Sequence, residues 1–368
     1  MTPKIITAHH SLKASFFTLA LLFLFNSCVG KTAEPIPVEV VRVHQDSISM
    51  RAETLPEFKV DVHSKEYQGN QISGVVRTVL QDSNGNFWFG TQNGLCRHDK
   101  SGLVYFDLKD WNGAGVTVHV ILEDKAGNIW VGYGGGIAKF DGNYFTVYHE
   151  KNILTKSSLW SMTMDKNGLL WVGTTQGVFT FDGKELTPFE IPEGKINNSR
   201  GISSAKMIHY ILEDSKGKMW FATNGGVYIY DGITLTNISE KDGLASNFVN
   251  QIIESKKGGY WISTSKGLFK YNGKELTNMS ENLLKNKEGI GCAFEAKNGT
   301  LWFSANRREI YSYNGKEFTK TPIKENNFDP LPFQLYHDQQ ERLWVVGFKG
   351  AYRLENNTLI NVNRNGPW

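Results

Sequence analysis

Residues 81–95 read QDSNGNFWFGTQNGL. The pattern returns as EDKAGNIWVGYGGGI at 123–137, MDKNGLLWVGTTQGV at 164–178, EDSKGKMWFATNGGV at 213–227 and ESKKGGYWISTSKGL at 254–268. Two further copies decay to EAKNGTLWFSANRREI and HDQQERLWVVGFKGA. The central Trp88, Trp130, Trp171, Trp220, Trp261, Trp302 and Trp344 stand 42, 41, 49, 41, 41 and 42 residues apart, so seven of the ten tryptophans keep one register. A fixed period of this length marks repeated units that bury their apolar faces on one another.

Each part of the repeat has a physical reading. An apolar, β-rich stretch (VVRTVLQ, TVHVILE, MIHYILE) runs into Asp-x-x-Gly, where Gly85, Gly127, Gly168 and Gly217 supply the positive φ of a tight turn. This predicts a hairpin of strands A and B. Strand B carries the tryptophan and then a small residue (Gly90, Gly132, Gly173, Ala222, Ser263 or Ser304) that lets a neighbouring sheet approach closely. A further glycine opens strand C, and Asp-Gly or Asn-Gly pairs at 141–142, 182–183, 231–232, 272–273 and 314–315 predict a second hairpin into strand D. Four short antiparallel strands, repeated seven times up to about Val362, predict an all-β fold, a seven-bladed β-propeller of four-stranded blades over 72–368. The seven tryptophans are then core residues packed between blades.

Composition agrees and narrows the function. Glycine is abundant at 37 of 368 residues, as a strand-and-turn chain requires. The 40 Lys+Arg nearly balance the 37 Asp+Glu, which argues against a nucleic-acid partner. Three cysteines exclude a disulfide scaffold, and no pair has zinc-ligand spacing. Cys96 and Cys292 read as core residues.

The N-terminus reads as a processing segment. Lys4 and Lys13 precede an apolar run, SFFTLALLFLF, too short to cross a bilayer but fitting a signal-peptide core. Leu24-Phe25-Asn26-Ser27-Cys28 is similar to a bacterial lipobox, so residues 1–27 are expected to be removed and Cys28 lipidated. This places the protein in the envelope of a Gram-negative bacterium, lipid-anchored, on the outer membrane facing periplasm or surface. Residues 28–71, rich in proline early on, read as a tether and lead-in, with 58–62 (FKVDV) expected to act as a strand that closes the ring.

The repeat, together with KDGLASNFVNQIIE at 241–254, resembles the two-component-regulator propeller repeat over about 72–362. That family forms the periplasmic sensor portion of bacterial hybrid histidine kinases and is implicated in sensing oligosaccharides. Blade 6 departs from it at Arg307-Arg308-Glu309, which replaces the glycine turn, and blade 7 at Glu341-Arg342. The resemblance implies a sensory propeller, here expected to act on a lipid anchor without a kinase in the same chain.

In a propeller the start of strand A surrounds the mouth of the central channel. Counting back eleven residues from each tryptophan gives Arg77, His119, Trp160, His209, Asn250, Gly291 and Phe333, each preceded by an apolar residue. Alternate side chains would then face channel and blade interface. The loops between strands B and C add Tyr133, Arg307, Arg308 and Lys349 among others, and Trp111 lies in the loop leading to blade 2. Aromatic faces with a few polar groups suit a sugar, and a basic sector suits an acidic one. The expected partner is thus an oligosaccharide or other small ligand, or a protein, with membrane contact through the lipid alone. No cofactor, metal site or catalytic residue is assigned. Two alternatives are a lyase resembling virginiamycin B lyase, whose base would here lack an acid at the channel mouth, and a purely structural interaction platform.

Overall fold

The computed structural model describes residues 34–51, 69–150, 158–196, 204–284, 289–322, 331–356 and 358–368. The expected signal peptide, Cys28 and the expected closing strand at 58–62 lie outside the described residues.

Seven antiparallel sheets form the molecule, one per repeat. Blade 1 is built from strands A to D at Val76–Gln81, Phe87–Thr91, Gly94–Asp99 and Gly102–Phe106. The other A strands are Val118–Glu123, Leu159–Met164, Ile208–Glu213, Val249–Glu254, Ile290–Glu295 and Pro332–His337. Each A strand lies against the A strand of the next blade, and that of blade 7 against that of blade 1, so the A strands make a closed inner ring.

The tryptophans sit where the repeat predicts. Trp88 is 1% exposed and packs with Phe106 of its own blade and Phe140 of blade 2. The aspartate six residues earlier explains why the motif carries an acid. Asp82 Oδ1 accepts the N–H groups of Asn84 and Asn86, closing the A–B turn, while Oδ2 accepts the indole N–H of Trp88 at 2.8 Å. Gly85 holds φ +86° in that turn. The same Asp–Trp bond recurs at Trp130, Trp171, Trp220 and Trp344. In blade 5 Ser255 replaces the aspartate, and the Trp261 indole donates instead to Glu295 of blade 6.

The glutamate that ends strand A ties adjacent blades. Glu123 accepts Ser83 N–H and Oγ–H from the turn of blade 1, Glu213 accepts Lys166 N–H, Glu254 accepts Ser215 N–H and Oγ–H, and Glu295 accepts Lys256 N–H. Across the seam between blades 7 and 1, Gln81 performs this task, its Oε1 accepting Gln339 N–H. These carboxylates are structural fasteners on the face opposite the B–C loops.

The lead-in differs from the expected tether. Ile36–Pro37, Glu39–His44 and Ser49–Arg51 are strands that add a fifth, outermost member to blades 3, 2 and 1 in turn. Among the described residues, blades 4 to 7 have four strands each. The β-branched run EVVRVH is a competent strand once an open edge is available, and a run of six ladder positions against Tyr144–His149 provides it. Pro35 and Pro37, which suggested a tether, fall at the start of the belt, where an edge strand tolerates a missing donor.

The ring closes between blades 7 and 1, and the four described strands of blade 7 come from its own repeat. Gln71 bridges Asn363, Val75 bridges Phe348, and Arg364 N–H donates to Asn70 O. Trp344 and Val362 share one apolar cluster with Ile72, Val76 and Phe89. Trp368 stacks on His98 with ring centres 3.8 Å apart. Closure is thus made in part by the C-terminal tail.

Candidate functional site

The inner ring has a feature that counting residues did not reveal. Every A strand contains a one-residue bulge at its start. In blade 1, Val76 pairs with Thr91 and Thr78 with Gly90, so the ladder register skips over Arg77. The same skip isolates His119, Trp160, His209, Asn250 and Phe333, and in blade 6 it falls on Gly291 and Cys292. A bulge bends the strand and re-aims the side chain of the extra residue. Here all seven bulged positions line one central cavity of about 440 Å³, a size within the range of small-ligand pockets.

The inner strands have no neighbour on the channel side, so their N–H groups need other acceptors. Side chains from the preceding blade supply them: Gln334 Oε1 accepts Val79 N–H at 2.7 Å, Ser161 Oγ accepts Ile211 N–H at 3.0 Å, and Gln251 Oε1 accepts Ala293 N–H at 2.9 Å. Asn250 Nδ2 donates to Ile290 O at 2.6 Å. The cavity wall is therefore tied from blade to blade.

Arg77, His119 and Trp160 form one cluster. The Arg77 guanidinium lies 5.9 Å from the Trp160 ring centre and 5.0 Å from that of Phe333, while His119 meets Trp160 edge-on at 5.2 Å. Burial, reinforced by the Arg77 charge, pushes the His119 pKa down to about 3. Its Nδ1 and the Trp160 Nε1 are buried with no hydrogen-bond partner among the described residues. Across the cavity, His209 packs on Phe248 and bonds Asn224 Oδ1 through Nε2 at 2.7 Å. Burial pushes its pKa down to about 4, against the opposing effect of that hydrogen bond. Both imidazoles are neutral at pH 7. No carboxylate lines the cavity among the described residues, and Cys292, which does, has its thiol pushed up to about 11 by burial.

The remaining expected contacts divide. Trp111 is 43% exposed in its loop and is not part of the cavity wall. Tyr133 corrects the expectation of a rim side chain: it is fully buried in the cluster that holds Trp88 and Phe140, because the glycines after it allow the chain to fold over its ring. Arg307, Arg308 and Lys349 lie on turns outside the cavity wall, with Arg307 and Lys349 at φ +67°. Asn224 is 3% exposed and is the polar residue whose part the sequence did not show; its Nδ2 donates to Ser204 O at 2.7 Å. Among the described residues, no group of three His, Cys, Asp or Glu is placed to hold a metal ion, and no helix is long and apolar enough to cross a membrane.

The model of the family described as two component regulator propeller matches residues 70–93, 153–176 and 201–225. No curated protein matches the chain. Among solved structures, it is similar to the extracellular domain of BT3049 from B. thetaiotaomicron, assigned as a hybrid two component system, at 24% identity and TM-score 0.62, covering 77% of this chain and 39% of that one. The corresponding domain of BT4673 from the same organism gives 17% identity, TM-score 0.59, and coverage of 80% and 39%. The chain therefore spans about two-fifths of the length of these two proteins. Virginiamycin B lyase from Staphylococcus aureus shares the fold at 12% identity and TM-score 0.61, covering 85% of this chain and 97% of that one. The chain is a seven-bladed β-propeller, three segments of which match the two component regulator propeller model.

Proposed function

We propose that the protein is an exported binding propeller that takes a small polar ligand, an oligosaccharide end, in its central channel. The observation that carries this reading is the set of seven bulges, which bring one residue per blade, aromatic or polar in six of the seven, to a single cavity. Aromatic faces at Trp160 and Phe333 with polar groups at Arg77, His209 and Asn250 suit a sugar ring better than an apolar molecule. The likeness to extracellular domains assigned to two component systems supports a sensory use. A lyase activity is less well supported, because the two channel histidines have no cavity carboxylate to orient them or share a proton among the described residues. Attachment through a lipidated Cys28 belongs to the same proposal, and Cys28→Ser would release the protein from the membrane fraction if it holds.

The test is an oligosaccharide library screened by thermal shift against wild type and Trp160→Ala. Loss of a stacking anchor costs about 2 kcal/mol or more, a roughly thirtyfold or larger weakening for every sugar bound. Unchanged binding by a folded Trp160→Ala protein would move the site away from the channel.

A further inference from the structure

The channel wall has a fixed hydrogen-bond polarity, set by residues that do not themselves line the cavity. Ser204 O can only accept, so the Asn224 amide must turn its Nδ2 toward it and its Oδ1 toward His209. An oxygen facing the ring at 2.7 Å requires the imidazole to donate, which places the proton of neutral His209 on Nε2. Nδ1 is then a bare lone pair on a ring that lines the cavity. Asn250 repeats the arrangement on the next blade. Its Nδ2 donates one hydrogen to Ile290 O, which fixes the sense of the amide and leaves Oδ1 as the acceptor of a side chain that lines the same cavity. The wall of blades 1 and 3 has the opposite sense, since a guanidinium and an indole N–H only donate.

We propose that the channel orients its ligand by this polarity: a hydroxyl or N–H donor end meets His209 Nδ1 and Asn250 Oδ1, and an acceptor end meets Arg77 and Trp160. Asn224 is the positioning residue that fixes the sense of His209. The inference rests on the channel being the ligand site, and it names the class: a hydroxylated ligand, asymmetric in donors and acceptors.

Two measurements on the full chain test it. The first needs no ligand: the imidazole ¹⁵N resonances should show His209 with bare Nδ1 and protonated Nε2 at neutral pH. Asn224→Leu should lose the lock and give averaged resonances, whereas Asn224→Asp, which keeps an oxygen acceptor, should retain the Nε2–H form. The second uses glycerol, which carries hydroxyl donors, and its trimethyl ether, which carries acceptors alone. Glycerol should shift the Nδ1 resonance and the ether should not, and Asn224→Leu should weaken the glycerol response about threefold to tenfold, the worth of one neutral hydrogen bond. Protonated Nδ1 in the wild-type protein overturns the proposal, as does a Nδ1 resonance that glycerol leaves unmoved or that the ether moves equally. The wild-type resonances are read without ligand, so their failure is distinct from a negative oligosaccharide screen.

Discussion

Acid should destabilise this protein well above the pH at which its carboxylates titrate, and the channel histidines are the reason. His119 and His209 have pKa values of about 3 and about 4 in the folded chain, against an ordinary value near 6.5 once unfolded. Both folded values are depressed, so as pH falls the unfolded state binds protons first. Stability is complete above about pH 6.5 and is drawn down as pH drops toward 4 for His209 and 3 for His119. At pH 5 each unfolded imidazole gains about 2 kcal/mol from its proton while the folded one gains almost nothing, so the pair withdraws about 4 kcal/mol relative to pH 8. His98 and His337, also lowered chiefly by burial, add in the same direction. Urea unfolding followed by tryptophan fluorescence at pH 8 and pH 5 measures the difference. A His119→Gln, His209→Gln double variant should close most of the gap, since glutamine has no proton to take up. A double variant that keeps the whole wild-type gap would refute the assignment of the acid sensitivity to the channel.

Gly90→Ala should cost about 1–3 kcal/mol in the same assay, because its Cβ would stand 2.5 Å from Thr78 Cγ2 and 2.7 Å from Val118 Cγ1, where blade 1 meets blade 2. An unchanged unfolding midpoint would show that these two side chains yield. Trp368→Ala should remove the ring stacked on His98 and loosen the seam between blades 7 and 1, at a cost of roughly 1–2 kcal/mol. Faster proteolysis confined to the blade 7 end would mark the opening, and wild-type resistance would make the tail dispensable.

The blades were readable because each repeats the same short-range physics. Asp82 with Gly85 makes a turn from local bonds alone, and Trp88 marks an interface that recurs at a fixed interval. The channel residues could be located by counting from those tryptophans because the register between turn and strand start never slips. The bulge that turns them inward has no residue signature: Arg77, His119, Trp160 and Gly291 occupy it equally, so it answers to the bending of the strand and not to a side chain. The belt was hidden for another reason. Glu39–His44 pairs with residues about a hundred positions away, and a ladder of that span leaves no local pattern beside two prolines that suggested a tether. Tyr133 is the last residue of the strand Ile129–Tyr133 and not a loop residue, and the three glycines that follow let its ring turn into the core, which its place in the repeat does not reveal.

The belt also orders events in time. Its strands pair in reverse, the first with blade 3, the second with blade 2 and the third with blade 1. Ile36 emerges first but meets Leu186 only after about 150 further residues have followed it. During synthesis the segment EVVRVH therefore waits as an unpaired β-prone strand, while the outer edges of blades 1 to 3 wait uncovered. Contacts of such long range slow folding, so the first piece of this region to appear is the last to be fastened.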